Sequence, residues 1–203
     1  VANFGTGKIS ADVKQLCGYV ALAGARSQIY ASYQQRKFKP GRRVPAMMGT
    51  KRLMKEYTVI QRELKSNKEY SNIVSLEPLG DLFTWNAVIN GPVNSPFQQG
   101  QWSISIEIPQ NYPTTPPKMK FNNRMCHPNV NFKTGEICLD ILQSQWTPAW
   151  TLLSTITAIL LLLEDPEPNS PLNIDVSNLL KNGDIKAYNG LIKYYTHKYA
   201  LVQ

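Results

Sequence analysis

The 203-residue chain reads as an α+β domain with helices at both ends of an antiparallel sheet. Three patterns predict this. An early stretch carries apolar residues at helical spacing, several short segments rich in Val, Ile, Phe and Trp come next with turns between them, and a long apolar helical run succeeds the sheet.

The first helix begins near Thr50, where Leu53, Tyr57, Ile60 and Leu64 recur at steps of four, three and four with charged residues between them. Ser66 to Ser71 breaks it. Residues 73–79, 82–90 and 102–108 then have strand composition, punctuated by Gly80-Asp81 and by the turn-rich stretch Asn90 to Gly100. Such short connections imply an antiparallel meander, and a fourth strand is expected near Lys118 to Phe121. A central helix is expected over Thr151 to Glu164, with Leu152, Leu153, Ile156, Ile159, Leu160 and Leu163 on one broad face, stopped by Pro166, Pro168 and Pro171. Two shorter helices are expected near 175–182 and 184–200, the second with Asp184 as N-cap.

Charge divides the chain. Residues 1–50 hold 8 Lys/Arg and Asp12 alone, whereas residues 51–203 hold 14 Lys/Arg and 13 acids, so the net +8 belongs mostly to the leader. The folded part has no concentrated basic face of the kind nucleic acid requires. Residues 1–48 are read as a basic N-terminal extension, disordered or appended, with an organelle-targeting leader as the alternative, and 49–203 as the domain. Within the extension, Leu16 to Ala25 is about half the length a membrane span needs, so no direct span is expected. The basic run Gln35 to Arg43 is read as solvated linker. Three cysteines, Cys17, Cys126 and Cys138, fit a reducing compartment better than a disulfide framework, and pairing of Cys126 with Cys138 depends on geometry.

The chemistry concentrates in Met125 to Leu142, MCHPNVNFKTGEICLDIL. Pro128, Asn129, Asn131 and Gly135 shape a loop, while Ile137, Leu139, Ile141 and Leu142 are expected to anchor the end of this segment in the core. Cys138 stands between them. Taken alone, an unpaired cysteine is most often an inert core residue. On a shaped loop it is also a candidate nucleophile for acyl transfer, and the Asn129 amide is a candidate oxyanion donor.

These residues resemble the active-site signature of the ubiquitin-conjugating enzymes: His127-Pro128-Asn129, then Gly135 to Leu142, then Trp146-Thr147-Pro148-Ala149. The resemblance continues through Tyr112-Pro113, Pro116-Pro117 and Phe121, through Phe83-Thr84-Trp85, Asn90-Gly91-Pro92 and Ser95-Pro96-Phe97, and through Asp165-Pro166 and Ser170-Pro171-Leu172. It runs from about Gly49 to the end. The loop Asn131 to Glu136, longer than in most of the family, and the run Pro168 to Asp175 resemble its peroxisomal branch.

The resemblance implies the ubiquitin-conjugating fold: an N-terminal helix, a four-stranded meander, a central helix and two C-terminal helices. It implies that Cys138 receives ubiquitin as a thioester from an activating enzyme and passes it on with a RING-type ligase. No bound cofactor or metal is implied, ATP being used upstream by the activating enzyme. Asn129 would stabilise the oxyanion or the loop. His127, Pro128, Asp165, Ser170 and Leu172 would shape the site, and Arg52, Thr114, Pro148 and Ala149 would meet the ligase. Ser170 stands where many relatives carry aspartate, and Thr114 where many carry phenylalanine. The branch implies cysteine or lysine of a peroxisomal import receptor as acceptor during receptor recycling, and a cytoplasmic enzyme held at the cytosolic face of the peroxisomal membrane by a membrane-anchored peroxin.

Other readings compete. A general cytosolic member of the same family would modify lysine. A zinc site could use Cys126, His127 and Cys138, although adjacent Cys-His side chains converge on one ion with difficulty. A Cys-His hydrolase would pair Cys138 with His127, and a catalytically dead binding module would use neither.

Overall fold

The computed structural model describes residues 46–201. Residues 1–45 of the extension, with its apolar and basic runs and Cys17, lie outside the described residues, and the expected boundary between residues 48 and 49 falls inside a helix. That helix, α1, spans Ala46–Ser66 and so starts a turn before Thr50, because Ala and Met propagate a helix well even where the buried stripe has not begun. Leu53 and Ile60 are fully buried, and Asn67 ends the helix by capping a short 3-10 turn, Lys68–Tyr70.

Four strands come next in simple order, β1 (Ile73–Pro78), β2 (Thr84–Asn90), β3 (Gln101–Glu107) and β4 (Lys118–Phe121), each antiparallel to its successor. Register is set by alternation. Trp85, Ala87 and Ile89 of β2 face Ile106, Ile104 and Trp102 of β3, all on the inner face, so a slip of one residue would turn every core side chain outward. On the outer face Ser103 donates to Asn86 Oδ1 at 2.7 Å, and Asn122 Nδ2 donates to the Ser103 hydroxyl at 2.9 Å. β2 starts later than the composition suggests because the Asp81 carboxylate accepts the N–H groups of Phe83 and Thr84 and holds that turn out of the ladder.

The central helix α2 (Leu152–Glu164) is closed at its start by a capping box between Thr151 and Ser154. Leu152, Leu153, Ile156, Ile159, Leu160, Leu162 and Leu163 are buried in one continuous core with the inner face of the sheet. Helices α3 (Ile174–Lys181) and α4 (Ile185–Tyr199) complete the domain, and the Asp184 carboxylate accepts from Ala187 N–H at 3.0 Å as the N-cap of α4. Among the described residues no helix is long and apolar enough to cross a membrane.

One buried carboxylate joins three elements. Glu56 of α1, 6% exposed, accepts from Arg52 Nε, from the Tyr112 hydroxyl at 2.7 Å and from Leu152 N–H at 2.8 Å. It thereby ties α1 and the 112 loop to the start of α2, satisfying one of the free donors at that terminus. Burial beside this carboxylate raises the Tyr112 phenol well above its ordinary range.

Candidate active site

Asn129 to Cys138 doubles back as a tight hairpin. Val130 bridges Ile137, and Cys138 N–H donates to Asn129 O at 2.8 Å. Asn131 closes the tip, its side-chain oxygen accepting from Lys133 N–H at 2.9 Å and Thr134 N–H at 3.1 Å. Gly135 is required there: its φ is +75°, and a Cβ would stand 2.0 Å from Phe121 O. This turn delivers Cys138, half-buried, to the wall of a cleft of about 580 Å³. Pro116 to Lys120, Gln143 and Leu172 line the same cleft, as does Glu136, two residues before the cysteine and therefore on the same side of the extended chain.

The stretch after Cys138 is less deeply anchored than its apolar run predicts. Ile137 is buried, but Leu139, Ile141 and Leu142 are half-buried, because Asp140–Leu142 curls into a 3-10 turn instead of continuing as strand. Cys126 lies in the core as a free thiol, its ionisation pushed up to about 12 by burial, and Cys138 is free as well.

His127 is fully buried. Its Nδ1 accepts from Asn129 N–H at 3.0 Å, so Nε2 carries the proton and donates to Leu162 O at 2.9 Å. Burial lowers its pKa to about 4, and the Leu162 carbonyl offsets this only in part. With both nitrogens engaged, His127 has no lone pair for a thiol proton or a zinc ion. The Cys-His hydrolase and the zinc site both lose their second residue.

Asn129 is fully buried and fully engaged. Its Nδ2 donates to Glu167 O at 2.7 Å and Ser170 O at 3.1 Å, and its Oδ1 accepts from Glu167 N–H at 2.9 Å. Pro128 O accepts from Leu172 N–H at 2.8 Å and Asn173 N–H at 2.9 Å. The loop after α2 is thus sewn to the Pro128-Asn129 corner, which places Leu172 in the cleft with Cys138 while the Ser170 side chain stays exposed. In this arrangement the amide hydrogens of Asn129 point into the loop, so an oxyanion role would cost an existing bond. Asp165 is placed differently from the rest: it terminates α2 and lines a second cleft with Val93, Pro96 and Tyr188, away from the residues that surround Cys138.

Arg52, Thr114, Pro148 and Ala149 come together at another edge. Arg52 Nη2 donates to Pro148 O at 3.2 Å and Trp150 O at 3.1 Å, and Trp146 Nε1 donates to Pro113 O at 2.8 Å, drawing the two loops side by side. Thr114, Pro148 and Ala149 are exposed there. The sequence did not mark Glu56, Glu167 or Ser177, whose hydroxyl donates to Pro168 O at 2.8 Å. Tyr112 and Leu152, which meet Glu56, and Asn129, which meets Glu167, are distant in the chain, the partner of Ser177 is nine residues away, and no local pattern signals any of them.

Comparison with known proteins places this geometry. The family model for the ubiquitin-conjugating enzyme matches residues 52–196. The chain is 49% identical to the ubiquitin-conjugating enzyme E2-21 kDa of Pichia angusta, the match covering 74% of this chain and 94% of that protein. It is 42% identical to the E2 ubiquitin-conjugating enzyme PEX4 of Komagataella phaffii, covering 76% of this chain and 96% of that one. Among solved structures it is similar to the H. polymorpha ubiquitin-conjugating enzyme Pex4p, crystallised in complex with the soluble domain of Pex22p, with a TM-score of 0.71 and 48% identity over 76% of this chain and 99% of the other. The chain belongs to the ubiquitin-conjugating enzymes, a family of ubiquitin transferases, and within it to the peroxisomal branch.

Proposed function

We propose that Cys138 carries ubiquitin as a thioester and hands it to a peroxisomal import receptor during receptor recycling. In the first step the Cys138 sulfur, its proton passing to solvent, attacks the thioester carbonyl on the activating enzyme, a new S–C bond forms, and that enzyme's thiolate leaves. In the second an acceptor nucleophile attacks the Cys138 thioester, gives up its proton, and releases the Cys138 thiolate. ATP is consumed upstream, and this chain needs no cofactor for either step. The observation that carries the reading is a half-buried free thiol on a tight hairpin, in the wall of a cleft of about 580 Å³.

Asn129 acts by holding the 167–173 loop, since its three side-chain hydrogen bonds all run there. His127 positions the hairpin as a neutral imidazole. Arg52, Thr114, Pro148 and Ala149 form the RING-ligase contact, a weak one because Thr114 offers no aromatic anchor. A membrane-anchored peroxin holds the enzyme at the cytosolic face of the peroxisome, a reading supported by the relative crystallised with the soluble domain of Pex22p.

Ser170 gives the acceptor preference. A free lysine is about one part in a thousand neutral at physiological pH, while a free cysteine is a few per cent thiolate. Without a carboxylate at this position lysine lacks the help in losing its proton that many relatives give it here, and cysteine is favoured. Discharge of the loaded enzyme to free cysteine and free lysine, compared between wild type and Ser170→Asp, tests this: the substitution should raise the lysine rate selectively. Equal wild-type rates for the two acceptors and no lysine gain would favour the general lysine-modifying reading.

A further inference from the structure

The hairpin that bears Cys138 is gripped at two points by rings of the last helix, which take no part in acyl transfer. At its tip Phe132 packs edge-on against Tyr195 of α4, centroids 5.0 Å apart at 67°, and against Tyr199 at 6.1 Å and 68°. Tyr195 and Tyr199, one helical turn apart, stack at 5.9 Å and 8°. On the other side of His127, Arg124 lies 5.6 Å from the Phe132 ring and 5.2 Å from the Tyr199 ring, and its Nη1 donates to the Tyr199 hydroxyl at 3.0 Å. One pair of tyrosines therefore clasps the catalytic segment upstream and downstream of the His127-Asn129 corner.

The tip's remaining attachments run to β4. Phe121 N–H donates to Gly135 O at 2.9 Å, and Lys120 bridges Glu136. The hairpin's base is fixed by the Asn129 bonds to the 167–173 loop, so the tip is the part left to tilt about the β4 edge, and Phe132 is its contact off that edge. Tilting would move Cys138, three residues beyond Gly135, relative to the cleft residues Pro116 to Lys120 and Leu172. Transfer between two thiols depends steeply on such placement, since a misplacement of about 1 Å can cost on the order of a hundredfold in rate.

The geometry points to Phe132 as a positioning residue for the transfer: clamped by Tyr195, Tyr199 and Arg124, its ring sets the angle at which the hairpin presents Cys138 to the incoming carbonyl. The inference rests on the proposed role of Cys138, and wild type beside Cys138→Ala tests that role separately. Absence of charging in wild type, or charging of Cys138→Ala, would overturn the role itself.

The test uses the full chain, with activating enzyme, ATP and ubiquitin, well below the Tm of every variant. Phe132→Ala should lower the kcat of Cys138 charging by about tenfold while the KM for the loaded activating enzyme stays within about twofold. Tyr195→Ala should give a similar loss, and the double variant little more than either single one, because both remove the same clasp. Tyr195→Phe keeps the ring and should restore the wild-type rate. If Phe132→Ala does not fold, Phe132→Leu should show a loss of about threefold in kcat, ring contacts being replaced by aliphatic ones. Amide exchange over residues 131–137 should quicken with the loss of rate. Wild-type kcat in a variant whose Tm has fallen, a change confined to KM, or additive losses would each overturn the assignment.

Discussion

Replacing Asn129 with alanine separates the two roles an active-site amide can play. The side chain makes three hydrogen bonds, to Glu167 O at 2.7 Å, Ser170 O at 3.1 Å and Glu167 N–H at 2.9 Å, and is itself fully buried. A hydrogen bond of this kind contributes roughly 1 kcal/mol net, so the loss is about 3 kcal/mol. Glu167 and Ser170 are exposed, which lets water rescue part of their backbone valence and keeps the figure from rising further. In a domain of this size about 3 kcal/mol corresponds to a fall in Tm of roughly 6–12 °C. An oxyanion donor has a different signature: its removal costs about a hundredfold to a thousandfold in rate and leaves stability nearly untouched. Thermal unfolding and single-turnover discharge of Asn129→Ala therefore belong in one experiment. Loop-holding predicts a large Tm loss with faster amide exchange over 167–173. An unchanged Tm beside a hundredfold rate loss would refute the reasoning.

The buried polar groups and the hairpin yield three further predictions. Below pH 6.5 the unfolded chain binds a proton at His127 that the folded chain does not bind until about pH 4, so stability should fall as pH drops through that window, by on the order of 3 kcal/mol. Urea midpoints across the range should fall less steeply in His127→Gln. Glu56→Ala breaks a buried junction of three donors and should cost about 3 kcal/mol, and Arg52→Ala should destabilise as well because it leaves the buried carboxylate without its counter-charge; chemical denaturation of both variants checks this. Gly135→Ala meets both a positive φ and Phe121 O, and should destabilise by roughly 1–3 kcal/mol with a parallel loss of charging, read by calorimetry and by a non-reducing gel.

Much of this architecture is legible in the sequence because burial repeats at short range. Trp85, Ala87 and Ile89 alternate with Asn86 and Val88, and the leucine-rich face of α2 recurs every three or four residues, so periodicity alone marks strand and helix. Cys138 and its neighbours are legible too, through turn residues and a resemblance spread over most of the chain. The sequence conceals contacts that are long-range and polar. Glu56 meets Tyr112 and Leu152, 56 and 96 residues away, and Asn129 reaches Glu167 and Ser170 across 38 and 41 residues. No local pattern encodes such pairs; the fold brings them together. Asp165 shows the converse: its neighbours in sequence belong to the active-site loop, yet it terminates α2 and lines another cleft. Leu139, Ile141 and Leu142 look like core by composition and are half-exposed because a 3-10 turn succeeds Cys138.

The most direct test asks where ubiquitin is attached. Incubated with activating enzyme, ATP and ubiquitin, the full chain should gain one ubiquitin in a bond that thiol reductant cleaves; Cys138→Ser should instead hold it in an ester that reductant leaves intact, and Cys138→Ala should gain none. A wild-type chain that stays unmodified under these conditions, or an adduct that survives in Cys138→Ala, would contradict the account.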